Sequence, residues 1–130
     1  TGGIIKGYCA DDDETSKAIK EMYDKNGYVM DTHTAVAYAA YEKYKKETKD
    51  ETPAVIVSTA SPYKFTKDVL TSIDSKYSLM DFFPLMAELE KISGVPVPGA
   101  VKDIDKRPVL HRNVIDKTEI KDFVKKQLIK

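Results

Sequence analysis

The sequence predicts an α/β fold in which most of the chain is helical and packs around one or a few parallel strands of an incomplete sheet. Ala54-Val55-Ile56-Val57 is a continuous, largely β-branched run, which is typical of a strand buried on both faces. Apolar residues recur at helical spacing before and after this run. A strand of this kind needs neighbouring strands, and the chain offers few. We therefore expect the rest of the sheet to lie elsewhere in a larger protein.

The first two helices are predicted from their ends as much as from their periodicity. The acidic run Asp11–Glu14 suits the positive end of a helix dipole, and Asn26-Gly27 is typical of a helix end. A second helix is expected to begin near Asp31 or Thr32 and to end in the polar segment before Thr52. Its narrow apolar face consists of small residues: Ala35, Val36, Ala39 and Ala40.

Two further helices follow the predicted strand. Ser61 is a candidate N-cap with Pro62 at the first helical position. The inward positions of that helix are Phe65, Val69, Leu70 and Ile73. The next apolar helix covers residues 82–92 and ends at Gly94, and it tolerates Pro84 only in its first turn.

The last third of the chain is predicted to be less regular. Residues 95–108 are rich in proline and are expected to be extended, and residues 109–115 form a candidate short strand. Asp116-Lys117-Thr118-Glu119 resembles a capping box that begins a last amphipathic helix. The apolar stripe of that helix consists of Ile120, Phe123, Val124 and Leu128.

Composition excludes several classes of function. The 21 basic and 21 acidic residues balance, so there is no electrostatic case for binding nucleic acid or an anionic membrane. The single Cys9 allows no internal disulfide, no Cys/His spacing suits zinc, and a reducing, cytoplasmic setting is expected. No apolar run approaches the roughly 20 residues that span a bilayer. The start Thr1-Gly2-Gly3 lacks the features of a secretory signal peptide.

Two short segments carry more chemistry than a scaffold needs. Asp31-Thr32-His33-Thr34-Ala35-Val36 opens a predicted helix, and residues 57–65 form a predicted strand end, a hydroxyl-rich turn and a helix start. Helix N-termini and the carboxyl ends of strands are the places where α/β folds bind ligands. We therefore expect the two segments to border one crevice.

These segments resemble two motifs of the threonine synthase family. The family patterns are Asp-Pro-His-Thr-Ala-Val and, some 25 residues later, Ser-Thr-Ala-His-Pro-Ala-Lys-Phe. The chain has the first motif at residues 31–36 and the second, Ser-Thr-Ala-Ser-Pro-Tyr-Lys-Phe, at residues 58–65, in the same order and at a similar separation. Residues 94–98 and 111–115 also resemble the end of the family's chain, so the resemblance covers nearly all 130 residues.

The resemblance implies a lyase of fold type II that uses pyridoxal 5'-phosphate (PLP) to convert O-phospho-L-homoserine and water into L-threonine and phosphate. Residues 1–130 would be a C-terminal segment of its large domain, with residues 95–130 packing back on that domain. The Schiff-base lysine and the loop that holds the PLP phosphate lie in the family's N-terminal segments, and neither is recognisable here. The N-terminal remainder is therefore the implied partner, and the isolated chain is expected to be inactive and to hold no catalytic residue.

The resemblance also implies roles for individual residues. Thr59 matches the Ser or Thr that hydrogen-bonds the pyridine nitrogen of PLP. His33 and Thr34 would face the same ring near its hydroxyl edge. Lys64 has two open interpretations: its stem packs along Phe65, or its ammonium group reaches an anionic group of the substrate.

The chain departs from the family pattern at two positions. Thr32 replaces a proline, and Ser61 replaces a histidine whose role is therefore not carried over. Lys67-Asp68 resembles the surroundings of the family's Schiff-base lysine, but it follows the second motif and lies on the polar face of its helix. We expect Lys67 to point towards solvent.

Alternative interpretations remain open at this point. Another PLP phospholyase would share the motifs, and a non-catalytic interaction module is possible if the chain closes its own core. Thr59 is alternatively a turn residue that bonds local backbone. Asp31 is interpreted as a helix cap, and Ser58 as a structural residue. An unpaired sheet edge would also favour self-association of the chain.

Overall fold

The computed structural model describes residues 5–129, and this part of the chain is helical with no β-strand. It contains five α-helices, joined by loops and short 3₁₀ turns. They are α1 (Asp12–Asn26), α2 (Thr32–Thr48), α3 (Thr66–Ile73), α4 (Phe82–Ser93) and α5 (Ile120–Leu128). The predicted absence of a signal peptide concerns residues 1–3, which lie outside the described residues.

The ends of α1 and α2 agree with the sequence prediction. Asp11 caps α1, and its side chain and that of Glu14 form a reciprocal capping box. Gly27 ends the helix with φ of 66°, a left-handed conformation that glycine adopts without a Cβ penalty. Asp31 caps α2 through the backbone N–H groups of His33 and Thr34.

The starts of α3 and α4 are also confirmed. Ser61 caps a 3₁₀ turn, Pro62–Phe65, that leads directly into α3, and its hydroxyl accepts a hydrogen bond from the backbone N–H of Tyr63. Pro84 lies in the first turn of α4, where no intrahelical N–H bond is lost. Gly94 ends α4 in a left-handed conformation.

The core lies between α1, α2, α3 and α4. Helix α3 packs against both α1 and α4, while α1 also packs along α2. Val97 and Val101 pack against this core from the following loop. The buried apolar residues are Ala18, Ile19, Val29, Met30, Ala35, Tyr63, Val69, Leu70, Ile73, Tyr77, Leu85, Met86 and Leu89. The four helices therefore close a core without any sheet.

The predicted α/β fold is wrong for the described part of the chain. Residues 54–57 are not paired as a strand, and the side chains of Val55 and Val57 are 91% and 70% exposed. Residues 109–115 are not a strand either, and Val114 is 95% exposed. A strand is stable only beside another strand that accepts and donates its backbone hydrogen bonds, and residues 5–129 provide none.

The tail beyond the core is exposed. Asp116 and Glu119 form the predicted capping box, which leads through a 3₁₀ turn into α5. No residue of the α5 apolar stripe belongs to the buried core, and Leu128 is 78% exposed. No helix in the range 5–129 is long and apolar enough to cross a membrane.

Candidate functional site

The first turn of α2 and the loop at residue 58 meet through a cluster of three side chains. The hydroxyl of Thr34 donates a hydrogen bond to Oδ2 of Asp31, and it lies 3.0 Å from Oγ of Ser58. Oγ of Ser58 is in turn 3.4 Å from Oδ2 of Asp31. The structure thus brings together the two motif segments, which are 24 residues apart at Thr34 and Ser58.

Asp31 is the buried centre of this cluster, with 1% of its surface exposed. Its Oδ1 accepts hydrogen bonds from the backbone N–H of His33 at 2.8 Å and of Thr34 at 3.3 Å. Burial acts to raise the pKa of the carboxyl group. The hydrogen bonds from the Thr34 hydroxyl and the two N–H groups outweigh it and hold the pKa below its ordinary value. Asp31 is therefore a carboxylate at neutral pH.

His33, Lys64 and Phe65 form a second, more exposed group beside the cluster. The rings of His33 and Phe65 have centroids 5.0 Å apart, and Nδ1 of His33 lies 3.4 Å from Oδ1 of Asp31. Nζ of Lys64 lies 5.3 Å from the centroid of Phe65. The ammonium group of Lys64 therefore lies over the ring of Phe65, and a contact with an anionic group stays a prediction.

Thr59 and Thr34 differ in how free their hydroxyl groups are. Thr59 is exposed, and its hydroxyl makes no hydrogen bond to any other described residue. The hydroxyl of Thr34 is buried and already bonded to Asp31. Of the predicted site residues, Thr59 and His33 are thus available to a ligand as they stand, whereas Thr34 faces inward.

A cleft of about 750 Å³ is lined by residues of α1, α3 and the first turns of α2, and His33 and Phe65 are among them. Lys67 is exposed at this cleft, in agreement with the expected orientation towards solvent. The hydroxyl of Thr71, which also lines the cleft, is buried and has no hydrogen-bond partner among the described residues. Sequence reasoning missed Thr71, because a threonine within an apolar helix gives no sign that its hydroxyl is unpartnered. No group of His, Cys, Asp and Glu side chains in residues 5–129 is arranged to hold a metal ion.

Comparison with known proteins identifies the family. The sequence model described as "Threonine synthase, C-terminal" matches residues 34–124, which is more than half of the chain. The chain belongs to this family. The resemblance that the two motifs indicated is thereby confirmed, including the C-terminal position of the segment.

One relative shows how much of a threonine synthase this chain represents. This chain is 41% identical over 71 residues to the threonine synthase of Schizosaccharomyces pombe. The match covers 54% of this chain and 14% of that protein. The chain therefore corresponds to a small part of the length of its relative.

The exposed groups of the site have side-chain chemistry that fits PLP, the cofactor that the family implies. Thr59 offers an unbonded hydroxyl, which can donate the hydrogen bond that a neutral pyridine nitrogen accepts. His33 offers an accessible ring nitrogen, and its side chain is 56% exposed. The two lysines closest in sequence to the site, Lys64 and Lys67, are both exposed, so neither has the sheltered setting that activates a covalently linked lysine.

Proposed function

We propose that the chain is the C-terminal segment of a PLP-dependent lyase that converts O-phospho-L-homoserine and water into L-threonine and phosphate. The observation that carries the proposal is the family match over residues 34–124. The geometry supports it because the two motif segments meet at Asp31. Thr59 and His33, one on each segment, are both exposed. The enzyme would serve amino-acid biosynthesis.

We propose that the N-terminal remainder of the parent enzyme is required for activity. The chain matches only 14% of its relative's length, and Lys64 and Lys67 are exposed. A lysine that links to a carbonyl cofactor needs a desolvated or electropositive setting that lowers its pKa. The remainder would supply that lysine and the PLP phosphate site, and this segment would supply one wall of the cleft.

Three residues of the segment would act on the bound cofactor. The hydroxyl of Thr59 would hydrogen-bond the pyridine nitrogen without protonating it, and His33 would lie at the ring's hydroxyl edge. A direct contact by the Thr34 hydroxyl would require that group to leave Asp31. When bound, PLP supplies the electron sink for loss of the substrate's phosphate, and Lys64 is the candidate group for holding that phosphate.

The test uses the longest polypeptide that contains this chain. Purified protein is incubated with PLP and O-phospho-L-homoserine, and phosphate and L-threonine are measured together. We expect both products in equal amounts from the whole protein and neither from residues 1–130 alone. Thr59→Val should lower kcat about 10- to 100-fold because a hydrogen bond to the cofactor is lost, whereas Thr59→Ser keeps the hydroxyl and most of the activity.

Two results would count against this assignment. Phosphate release without threonine would identify a related phospholyase, the alternative that Ser61 keeps open. A stoichiometric adduct of PLP on Lys67 of the isolated chain, trapped with borohydride and found by peptide mapping, would show that the chain binds the cofactor on its own.

A free-standing interaction module is a second candidate, and one observation favours it. Helices α1 to α4 close a core within the chain, with Leu70, Leu85 and Leu89 fully buried. Deleting this segment from the parent protein separates the two proposals. An enzyme that has lost a wall of its cleft should be inactive, whereas loss of a separate module should leave phosphate release unchanged.

We also propose a cytoplasmic location. Cys9 is exposed and unpaired, which suits a reducing compartment. Fractionation of cells that express a tagged parent protein tests this, and recovery in a secreted or organellar fraction would contradict it.

A further inference from the structure

The segment that carries Thr59 is joined to the helices by few hydrogen bonds. Residues 53–60 form no helix or strand, and their backbone makes no hydrogen bond to another element within the described range. The hydrogen bonds that connect them to a helix are those of the Ser58 hydroxyl with Thr34 and Asp31. Ser58 directly precedes Thr59, so its attachment also sets where the hydroxyl of Thr59 lies.

Asp31 uses its two carboxylate oxygens for different purposes. Oδ1 accepts the backbone N–H groups of His33 and Thr34, as an ordinary helix cap does. Oδ2 receives the hydroxyl of Thr34 and lies 3.4 Å from Oγ of Ser58. One buried carboxylate therefore fixes both the start of the helix that presents His33 and the loop that presents Thr59.

Asp11 shows what a helix cap looks like without such a link. Its carboxylate accepts a hydrogen bond from the backbone N–H of Glu14 at 2.8 Å, and its own backbone N–H donates to the Glu14 carboxylate. Asp11 is exposed, and its carboxylate bonds no residue outside its own helix turn. Capping thus requires neither the burial of Asp31 nor its second set of bonds.

We infer that Asp31 is a positioning residue that holds Thr59 in register with His33, acting through the hydroxyls of Thr34 and Ser58. The cofactor-facing part of this inference rests on the proposed function of Thr59 and His33. The connection between the two segments does not, because it depends only on contacts within the chain.

Backbone ¹⁵N relaxation of this chain, with and without substitutions in the cluster, tests the connection. Wild-type Thr59 should have an order parameter near 0.85, typical of rigid backbone, and Thr34→Val should reduce it below about 0.6. Thr34→Ser restores a hydroxyl and should return it towards the wild-type value. Asp31→Asn should also loosen Thr59 while leaving α2 intact, because asparagine caps a helix as well as aspartate but its NH₂ cannot accept the hydroxyl bonds. Asp11→Asn is the matched control and should change nothing at Thr59.

Several outcomes overturn the inference. If Thr59 is already mobile in the wild-type chain, the cluster does not position it. The same follows if Thr59 stays rigid in both Thr34→Val and Asp31→Asn. Equal loosening in Asp11→Asn shows a general loss of stability. Because no cofactor is present, these outcomes do not depend on the proposed enzyme activity.

A second measurement concerns the whole protein. If Asp31 positions Thr59, Asp31→Asn should lower kcat about ten-fold with little change in KM, and it should shift the absorption band of bound PLP. Asp11→Asn should leave both unchanged. A rigid Thr59 in solution together with an unchanged kcat and absorption band in Asp31→Asn would refute the positioning role. An inactive wild-type protein with a cluster-dependent Thr59 would refute only the proposed function.

Discussion

The four helices α1 to α4 and the segment Ala54–Val57, which lies between α2 and α3, differ in where their apolar side chains lie. Leu70 and Leu89 are completely buried between helices, whereas Val55 and Val57 are mostly exposed. Both regions contain large apolar side chains. The difference lies in their partners: each helix finds a neighbouring helix within residues 5–129, and the extended segment finds no neighbouring strand there.

This comparison separates what a local pattern specifies from what it leaves to the surroundings. A helix satisfies its own backbone hydrogen bonds and needs a partner only for one face. A strand needs a partner for its backbone as well. Helix α5 is an intermediate case, because it forms with most of its apolar stripe exposed.

The largest effect on stability is expected for a change in the helical core. Leu70 is fully buried on α3, so Leu70→Ala should lower the free energy of unfolding by about 2–5 kcal/mol through lost burial and a residual cavity. Val55→Ala is the matched change in the exposed segment, and it should cost less than about 0.5 kcal/mol. Urea denaturation of the isolated chain measures both.

Either of the two losses in unfolding free energy could contradict the comparison. A cost above about 1 kcal/mol for Val55→Ala would show that the segment is buried in solution, for example within an associated form. A small cost for Leu70→Ala would show that the core is not closed, which would remove the support for a free-standing module.

An intermediate effect is expected in acid, and it concerns the link between the two regions. The pKa of Asp31 is lowered in the folded chain, although burial opposes this, because three hydrogen bonds favour its charged form. A carboxyl group with a depressed folded pKa stabilises the fold above its unfolded pKa, near 3.9, and this stabilisation is lost as the pH falls through the folded value. The free energy of unfolding should therefore fall as the pH drops below about 4.

Asp31→Asn isolates this contribution. The variant should lose on the order of 1 kcal/mol at neutral pH and should show a shallower decline in acid than the wild-type chain. Asp81→Asn is the control, because the side chain of Asp81 makes no capping hydrogen bond at the start of α4. An acid decline that is equally steep in wild type and Asp31→Asn would mean that Asp31 is not a buried, hydrogen-bonded carboxylate in solution.

The helices could be predicted from sequence because their signals are local. Asp11, Gly27 and Ser61 mark ends through backbone hydrogen bonds and left-handed turns that depend on only a few neighbouring residues. The prediction of a strand at Ala54–Val57 was wrong, because a β-branched apolar run forms a strand only where neighbouring strands and a buried setting are present. The fold class was wrong for this reason.

The candidate site was predictable in part. The motifs predicted that the start of α2 and the turn at Thr59 border one crevice. The structure brings the two segments into contact at Thr34 and Ser58, but Thr59 does not line the cleft that contains His33. The burial of the Thr34 hydroxyl and the second role of Asp31 were not predictable, because they depend on a contact between residues 24 or more apart in sequence. An aspartate that only caps a helix and an aspartate that also binds a distant loop can have the same local sequence.

The smallest effect on monomer stability is expected for a change in the segment Ala54–Val57 that alters self-association of the chain. The backbone N–H and C=O groups of Ala54–Val57 make no hydrogen bond to other residues in the range 5–129, and three of the four side chains are β-branched. A second copy of the chain is therefore a suitable strand partner. We expect sedimentation velocity to show a concentration-dependent dimer. Val55→Lys should abolish the dimer, because a charge on an edge strand opposes pairing, and should change the free energy of unfolding by less than about 0.5 kcal/mol.

Val114→Lys is the matched control, since Val114 is 95% exposed in another apolar segment that forms no strand. Association that Val114→Lys abolishes equally would indicate non-specific contact between apolar surfaces. A wild-type chain that sediments only as a monomer would mean that the segment tolerates an unpaired edge.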